Sequence, residues 1–200
     1  RVTILHVDDL NKLPFTGRFA ELVVSSKALT EGVAFLHADT AGDMLSPYLG
    51  AACLGKTGKL IVTHRGPVKG AGNWTHFYAD AHNSYCGTDT ALHGPLELLW
   101  FRDTDYPMAN RHSMSSPTMV YNGYMVMPGE HGVRVANAYN GRPIWQHDIE
   151  GLNLYQGGFS YDRRNLSGNM CVANGKVYVR HMDYCRQFDI TTGKMFAQWK

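Results

Sequence analysis

Two histidines and one carboxylate lie close together in the sequence, at His76, Asp80 and His82. Imidazole nitrogens and carboxylate oxygens are ligands of zinc and iron, so this spacing could hold a metal ion. The same side chains could instead hydrogen-bond to loop backbone groups that would otherwise lack partners. The structural role is the favoured interpretation, and the three residues are weak metal candidates.

A second acidic group, Asp8 and Asp9, follows the apolar run at residues 2–7. Adjacent residues of a strand point to opposite faces, so the two carboxylates are not expected to share an acid–base site. One of them could contact a ligand while the other lies in water. These residues therefore do not identify a catalytic group.

The composition indicates a globular chain, since 44% of its 200 residues are hydrophobic, 18% are charged and the net charge is +2. Lys and Arg are scattered and form no basic stripe, which argues against nucleic acid as a partner. No apolar run approaches the roughly 18 residues that cross a bilayer, so no membrane span is expected. Because the chain begins at Arg1, we expect a fragment of a longer protein and leave its compartment open.

The second half of the sequence repeats itself. Asn174-Gly175 lies 52 residues after Asn122-Gly123, and this shift aligns residues 111–145 with residues 163–197 without a gap. Asn-Gly between apolar runs is a strong hairpin signal, since both residues accept the positive φ of a tight turn. The repeat therefore predicts two copies of one β-sheet unit.

Alternating apolar residues predict four strands in each copy, which gives blades at about 111–149 and 163–200. Four-stranded units with a period of about 40 to 50 residues are typical of propellers. The end of each copy also resembles the motif Asp-x-x-Thr-Gly-x-x-x-Trp of the PQQ-like β-propellers, which include quinoprotein alcohol dehydrogenases and propellers without quinone. The matching residues are Asn137, Asn140, Gly141 and Trp145 in the first copy and Asp189, Thr192 and Gly193 in the second.

The resemblance implies that Asp or Asn and Thr cap the turn, Gly supplies a positive φ and Trp packs against the neighbouring blade. Ala197 stands where the second copy should have Trp, and Trp199 lies two residues later, so we expect an irregular or incomplete second blade. Residues 70–101 resemble the opening segment of the same family, with Trp100 near the end of a strand. The family's dehydrogenases need calcium-binding acids and stacked aromatic residues around PQQ, and none of those positions is matched here.

Residues 1–64 show a different pattern, that of a partial α/β segment with a parallel sheet. The pattern predicts strands at 2–7 and 19–26, helical spacing at 28–38 and 43–54, and a glycine turn with a strand at 55–64. A linker rich in Gly and Pro at 65–72 leads into the propeller region at 73–200.

This order of elements resembles the later half of a class I S-adenosylmethionine-dependent methyltransferase, which has a Rossmann-like fold. The shared pattern is an acid, Leu-Pro-Phe, a Leu-Val-Val strand and a Gly-Lys-Leu-Ile-Val strand. The resemblance implies that Asp9, with Leu10 beside it, contacts the adenine of S-adenosylmethionine. The family's first strand and its Gly-x-Gly loop are not in the sequence, so the fragment alone is expected to be inactive.

The four cysteines show no metal-binding spacing and are expected to be free thiols. They are Cys53, Cys86, Cys171 and Cys185. A disulfide between Cys171 and Cys185 stays open, because both lie on predicted strands of the second copy. Such a bond requires Cα atoms within about 7 Å of each other.

The leading hypothesis is a mixed fold, with a partial Rossmann-like α/β segment followed by all-β propeller blades. In this hypothesis the propeller is a binding or scaffold module with a protein partner on one face. The first segment would supply S-adenosylmethionine chemistry in the full-length protein. One alternative is a PQQ-dependent quinoprotein oxidoreductase, and another is a non-catalytic propeller scaffold for protein partners. The sequence leaves open whether the parent is an enzyme.

Overall fold

The computed structural model describes most of the chain. The described residues are 4, 6–9, 12–14, 17–26, 38–56, 58–96, 98–102, 106–108, 116–152 and 169–200. The chain divides into two compact units, Arg1–Pro67 and Val68–Lys200. Within the described ranges, no helix is both long enough and apolar enough to cross a bilayer.

The first unit contains a three-stranded sheet and one short helix. The elements are β1 (Leu22–Ser26), α1 (Ala38–Met44), β2 (Ala51–Lys56) and β3 (Lys59–His64). Strand β2 lies in the middle, parallel to β1 and antiparallel to β3. Val23 and Ala52 of the sheet pack with Ala41 and Leu45 in a small buried cluster.

The helix predicted over residues 43–54 is wrong. Helix α1 ends at Met44, and residues 51–54 belong to strand β2. Pro47 lacks a backbone N–H and cannot continue a helix, while the Ala51 N–H donates to Glu21 O at 2.9 Å. The backbone groups of residues 51–54 therefore pair with the neighbouring strands β1 and β3 and not with a helix.

The described part of the first unit does not form a Rossmann-like segment. It contains one helix of seven residues beside a three-stranded mixed sheet. In the strand predicted at residues 2–7, the described residues Ile4, His6 and Val7 lie outside any strand. The expected strand order of a methyltransferase is therefore not seen in the described residues.

The second unit consists of two four-stranded antiparallel sheets, called blade 1 and blade 2. Blade 1 contains β4 (Met119–Tyr121), β5 (Tyr124–Gly129), β6 (Gly132–Asn137) and β7 (Pro143–Asp148). Blade 2 contains β8 (Met170–Ala173), β9 (Lys176–His181), β10 (Tyr184–Asp189) and β11 (Met195–Trp199). Each strand pairs with the next one in sequence, so both blades are simple meanders. The predicted strands of both copies are confirmed.

The first hairpin of each blade closes through the predicted Asn-Gly turn. Asn122 and Gly123 have φ values of 46° and 82°, and Asn174 and Gly175 have 49° and 70°. Two successive positive φ angles give a turn whose twist matches that of the flanking strands. Asn tolerates this conformation better than most residues with a side chain. The turn chemistry therefore sets the same register in both blades.

The two blades bury one face of each sheet against the other. Met119, Val126, Val133 and Val135 of blade 1 join Met170, Val172, Val177, Val179 and Phe188 of blade 2 in one buried cluster. Burying an aliphatic or aromatic side chain of this size contributes about 1.5–3 kcal/mol. Neither sheet would bury this face alone, so the packing of the blades is the main source of the unit's stability.

One short segment pairs with the first strand of both blades. Trp74 N–H donates to Val120 O at 2.9 Å, and Val120 N–H donates to Trp74 O at 2.8 Å. The next residue, Thr75, accepts from Val172 N–H at 2.8 Å. The free edges of β4 and β8 are therefore covered by the same stretch of chain, which precedes both blades in sequence.

Candidate functional site

The tryptophan of the predicted blade motif contacts the glycine turn of the other blade. Trp145 Nε1–H donates to Ile190 O at 2.8 Å, and the indole packs beside Phe188. A β-carbon on Gly193 would lie 2.8 Å from Trp145 Cγ. Only a glycine leaves room for the indole at this distance, and the turn also has a φ of 71°.

The opening segment contacts the glycine turn of blade 1 in the same way. Trp100 Nε1–H donates to Ala138 O at 2.9 Å, and a β-carbon on Gly141 would lie 2.6 Å from the Trp100 ring. In both cases the acceptor carbonyl lies three residues before the glycine. The opening segment and the two blades are thus connected by one repeated contact.

The acidic or amide residue of each motif caps the turn. Asp189 Oδ1 accepts from the backbone N–H groups of Thr191 and Thr192, each at 3.0 Å, and Asp189 Oδ2 accepts from Lys176 Nζ at 2.9 Å. The hydrogen bond from the Thr191 hydroxyl, followed by that from Lys176, lowers the pKa of Asp189 well below its usual range. Thr192 Oγ1 in turn accepts from Lys194 N–H at 3.3 Å.

In blade 1 the cap is made by neutral side chains. Asn137 Oδ1 accepts from Tyr139 N–H at 2.9 Å, and Asn140 Oδ1 accepts from Arg142 N–H at 3.0 Å. Asn137 therefore has the position of Asp189, and Asn140 has that of Thr192.

Blade 2 has all four strands, so it is not incomplete, and its last strand pairs with one register shift beside Gln187, at the place where blade 1 has one beside Val135. Ala197 lies opposite Gln187, as Trp145 lies opposite Val135. Trp199 lies opposite Cys185, as His147 lies opposite Val133. Trp199 thus takes the position of His147, and blade 2 has alanine where blade 1 has the interblade tryptophan.

His76, Asp80 and His82 do not come together as a metal site. Asp80 Oδ1 accepts from the backbone N–H groups of His82 at 2.8 Å and Ser84 at 3.2 Å. Hydrogen bonding to Ser84 is the main cause that lowers the pKa of Asp80. No group of three His, Cys, Asp or Glu side chains able to hold a metal occurs among the residues that the structure describes.

Asp9 lies in a turn near the start of the chain. Its carboxylate is 3.7 Å from Lys12 Nζ, and its carbonyl accepts from Lys12 N–H at 3.1 Å. Leu10 lies outside the described residues. An open cleft of about 490 Å³ in the first unit is lined by α1 and β2 residues such as Asp43 and Leu54, and Asp9 is not part of it.

Cys171 and Cys185 are free thiols. They lie on β8 and β10, and β9 runs between these strands. Two interstrand spacings amount to roughly 9–10 Å, which exceeds the roughly 7 Å that a disulfide can bridge. A disulfide between them is therefore excluded, and burial raises the pKa of the Cys171 thiol.

An open cleft of about 500 Å³ lies between the loop at residues 76–85 and strands β8–β10, and we call it the blade-2 cleft. Its walls carry the aromatic rings of Phe77, Tyr78 and Tyr178, together with His76, Asn83 and Arg180. Both cysteines of blade 2 also line it.

The loop that forms one wall is held in a defined conformation. The Tyr78 and Tyr85 rings stack with centroids 4.2 Å apart, and Phe77 meets Tyr78 edge-on at 4.5 Å. Ala79, Asn83 and Tyr85 have positive φ values of 77°, 56° and 58°. Residues with side chains adopt such angles at a cost of about 1–3 kcal/mol each, which the surrounding contacts must offset.

The polar groups of the cleft differ in their partners. The Tyr178 hydroxyl accepts from Gln187 Nε2 at 2.8 Å. Arg180 is exposed, and neither its guanidinium nor the Asn83 amide has a hydrogen-bond or ion-pair partner within the described part of the chain. Among the described residues, no Asp or Glu lines the cleft. The blade-2 cleft is therefore aromatic and positively charged.

Sequence reasoning missed this cleft. Its two walls are about 90 to 100 residues apart in the chain, and no local pattern shows that residues 76–85 contact β8–β10. The repeat could have indicated the cleft, because the 52-residue shift aligns Val126 and Pro128 of blade 1 with Tyr178 and Arg180. At these two positions apolar residues of the first copy are replaced by polar or charged residues in the second.

Two four-stranded meanders that pack face to face, with a tryptophan of one against the glycine turn of the next, define a propeller-like unit. No protein-family model matches the chain, and no curated protein is similar to it. Among solved structures, a europium-containing methanol dehydrogenase is similar over 42% of this chain and 15% of its own, with 16% identity and a TM-score of 0.32. BamB from Moraxella catarrhalis is similar over 50% of this chain and 30% of its own, with 16% identity and a TM-score of 0.31. The chain thus spans less than a third of either protein.

Proposed function

We propose that residues 68–200 belong to a propeller-type binding module that holds a segment of a partner protein in the blade-2 cleft. The observation that carries this proposal is an open cleft of about 500 Å³ lined by aromatic rings and by an arginine without an ion-pair partner among the described residues. Tyrosine and arginine are enriched among the residues that dominate binding energy at protein interfaces.

Both walls of the cleft are held by hydrogen bonds within the unit itself. Thr75 N–H donates to Ala79 O at 2.8 Å, and Tyr85 N–H donates to Tyr78 O at 3.2 Å, so the loop is held at both ends. The opposite wall is the sheet of blade 2. Because these hydrogen bonds already hold the loop, the part of the entropic cost of association that comes from ordering the loop is small.

The quinoprotein alternative receives less support from the residues present. A PQQ site with calcium needs several acidic ligands in one place, and the described residues contain no such group. Asp80 and Asp189, two acids near the cleft in sequence, bind backbone N–H groups of their own turns.

For the first unit, a methyltransferase-like role stays a prediction that rests on the sequence resemblance of residues 1–64. The contribution of Asp9 and Leu10 would be tested by calorimetric titration of the protein with S-adenosylmethionine. Saturable heat that Asp9→Ala weakens would support the prediction, and a titration without heat would reject it.

The binding function is tested by selecting peptides from a random dodecapeptide phage library on the 200-residue chain. We expect enriched peptides whose binding is lost in Tyr178→Ala, because the ring forms one wall of the cleft. Phe101→Ala is the matched control, since this ring is 79% exposed and lies outside the cleft. Circular dichroism of each variant reports whether the fold is kept. Failure to enrich any peptide, or equal binding by well-folded Tyr178→Ala, would reject the proposal.

A further inference from the structure

We infer that the blade-2 cleft selects an acidic segment, with a carboxylate bound by Arg180 and an adjacent apolar or aromatic side chain against Tyr178 and Tyr78. This inference rests on the proposed binding function and specifies the chemistry of the partner. It is carried by a comparison of the two blades within one chain, by the charge of the cleft and by its shape.

The two blades provide an internal comparison at equivalent positions. In blade 1 the positions of Cys171, Tyr178 and Cys185 are occupied by Met119, Val126 and Val133, each of them 0% exposed. These three side chains form part of the hydrophobic core between the blades.

Blade 2 replaces this apolar surface with polar and aromatic groups. Tyr178 presents a phenol, and Arg180 stands at the position of Pro128. Gln187 stands at the position of Val135, and its amide donates to the Tyr178 hydroxyl at 2.8 Å. A face that only had to pack against another sheet would lose stability from these groups, because each polar atom would need a partner after burial. The replacements instead suit a surface that meets a polar ligand.

The positive charge of the cleft indicates that its ligand carries a negative charge. Arg180 and His76 line the cleft, and within the described part of the chain no carboxylate lines it and the Arg180 guanidinium has no partner. Asp80 bonds to backbone N–H groups and Asp189 pairs with Lys176, while Asp183 lies in the exposed β9–β10 turn and is not part of the cleft lining. An incoming carboxylate would therefore meet an arginine that gives up no existing ion pair.

The donor groups favour a carboxylate over a phosphate. A single guanidinium offers two parallel N–H donors, which match the two oxygens of one carboxylate. Phosphate sites in proteins usually add a helix N-terminus or a glycine-rich loop, and neither occurs among the described residues that line the cleft. A single positive charge also matches a carboxylate better than a dianion.

The aromatic walls indicate what stands beside the carboxylate. Tyr78 is 38% exposed although it stacks on Tyr85, so one face of this pair is open to the cleft. Tyr178 is fixed on β9 by its bond to Gln187. A flat apolar side chain of the partner can pack against these rings, while the Asn83 amide can bind a peptide group. An extended segment with Glu or Asp next to Phe or Tyr fits this pattern.

The test uses three fluorescent decapeptides that differ only in charge, and fluorescence anisotropy with the whole chain. The first alternates Glu with Phe and Gly, the second has Gln for every Glu, and the third has Lys for every Glu. We expect the Glu peptide to bind about tenfold more tightly than the Gln peptide, as for one charge-assisted contact. Arg180→Ala should remove this difference, and Arg180→Glu should shift the preference to the Lys peptide. Arg102→Ala removes an exposed arginine outside the cleft and should leave the difference unchanged.

The outcomes separate this inference from the proposed function. Equal binding of the Glu and Gln peptides, both lost in Tyr178→Ala, would overturn the acidic preference and keep the binding function. A phosphoserine peptide that binds tenfold more tightly than the Glu peptide would overturn the carboxylate assignment. If neither the designed peptides nor the phage library yields binding, both proposals fail. The charge reversal in Arg180→Glu distinguishes a lost contact from a lost fold, because a misfolded variant gains no affinity for the Lys peptide.

Discussion

Gly193 and Gly175 have the same backbone conformation but differ in which atoms lie next to them. Their φ values are 71° and 70°, so a side chain would strain the backbone equally at both positions. A β-carbon on Gly193 would lie 2.8 Å from Trp145, whereas no atom lies within 4 Å of one on Gly175. The two glycines therefore separate the cost of the conformation from the cost of the contact.

We expect Gly175→Ala to lower the free energy of unfolding by about 1–2 kcal/mol, the cost of the left-handed conformation. Gly193→Ala should lower it by at least 1–3 kcal/mol more, because the indole of Trp145 must move. Urea denaturation of both variants measures the difference. Equal losses would show that the turn and the tryptophan are not in close contact.

Asp189 makes the stability of blade 2 depend on pH. Its pKa in the folded state lies below the unfolded value of about 3.9, so the ionised form stabilises the fold above about pH 4. This contribution is lost as the pH falls through the folded-state pKa. Asp189→Asn keeps an acceptor for the turn, as Asn137 does in blade 1, but removes the ion pair with Lys176.

We therefore expect wild type to be more stable than Asp189→Asn at pH 7 and the difference to shrink below about pH 4. Denaturation curves between pH 7 and pH 2.5 measure it. Asp183→Asn, which changes an acid in the exposed β9–β10 turn, is the control and should follow the wild-type profile. A constant difference between wild type and Asp189→Asn across this range would contradict the assignment.

At the scale of the elements, the strands of the blades could be predicted from the sequence because the residues that determine them are close together in the chain. Asn-Gly turns and alternating apolar residues fix strands β4–β11 within about 30 residues per blade. The helix predicted over residues 43–54 failed for the opposite reason. Residues 51–54 have helical spacing, yet their backbone groups pair with β1 and β3, which lie elsewhere in the chain. Local spacing cannot report such partners.

The contact between the blades is an element-scale property with its own test. Trp145→Ala removes the packing of a partly buried indole against Gly193 and Phe188 and the bond to Ile190 O, so we expect a loss of about 2–4 kcal/mol. Trp145→Phe keeps most of the packing and should cost less than Trp145→Ala. Trp199→Ala is the control, because this indole is 49% exposed. Thermal unfolding of the three variants measures the three losses of stability. Equal losses in Trp145→Ala and Trp199→Ala would contradict the role of Trp145 in the contact between the blades.

At the scale of the whole molecule, each of the two units has a hydrophobic cluster of its own. Among the described residues, the larger cluster lies between Met119 and Ile190 and the smaller one between Ala20 and Leu54. The blade-2 cleft belongs to this scale as well, since it forms only when residues 76–85 meet β8–β10. That is why the turns were predicted from sequence and the cleft was not.

We expect residues 68–200, produced alone, to unfold at the same urea midpoint as the same region in the whole chain. The reason is that this unit contains its own core and its own interblade contacts. Tryptophan fluorescence is a suitable probe, because all four tryptophans lie in this unit, at Trp74, Trp100, Trp145 and Trp199. A midpoint clearly lower in the isolated unit would show that residues 1–67 contribute to its stability.

The pairing of Trp74 and Thr75 with both blades has a consequence for biosynthesis. Thr75 is translated 97 residues before Val172, its hydrogen-bond partner on β8. At about 5–20 residues per second, the ribosome needs roughly 5–20 s to supply that partner. During this delay an extended stretch waits with unsatisfied amides and carbonyls, and it can associate with other nascent chains. Yield in cells should therefore respond to translation rate and to chaperone supply, even where the finished protein is stable.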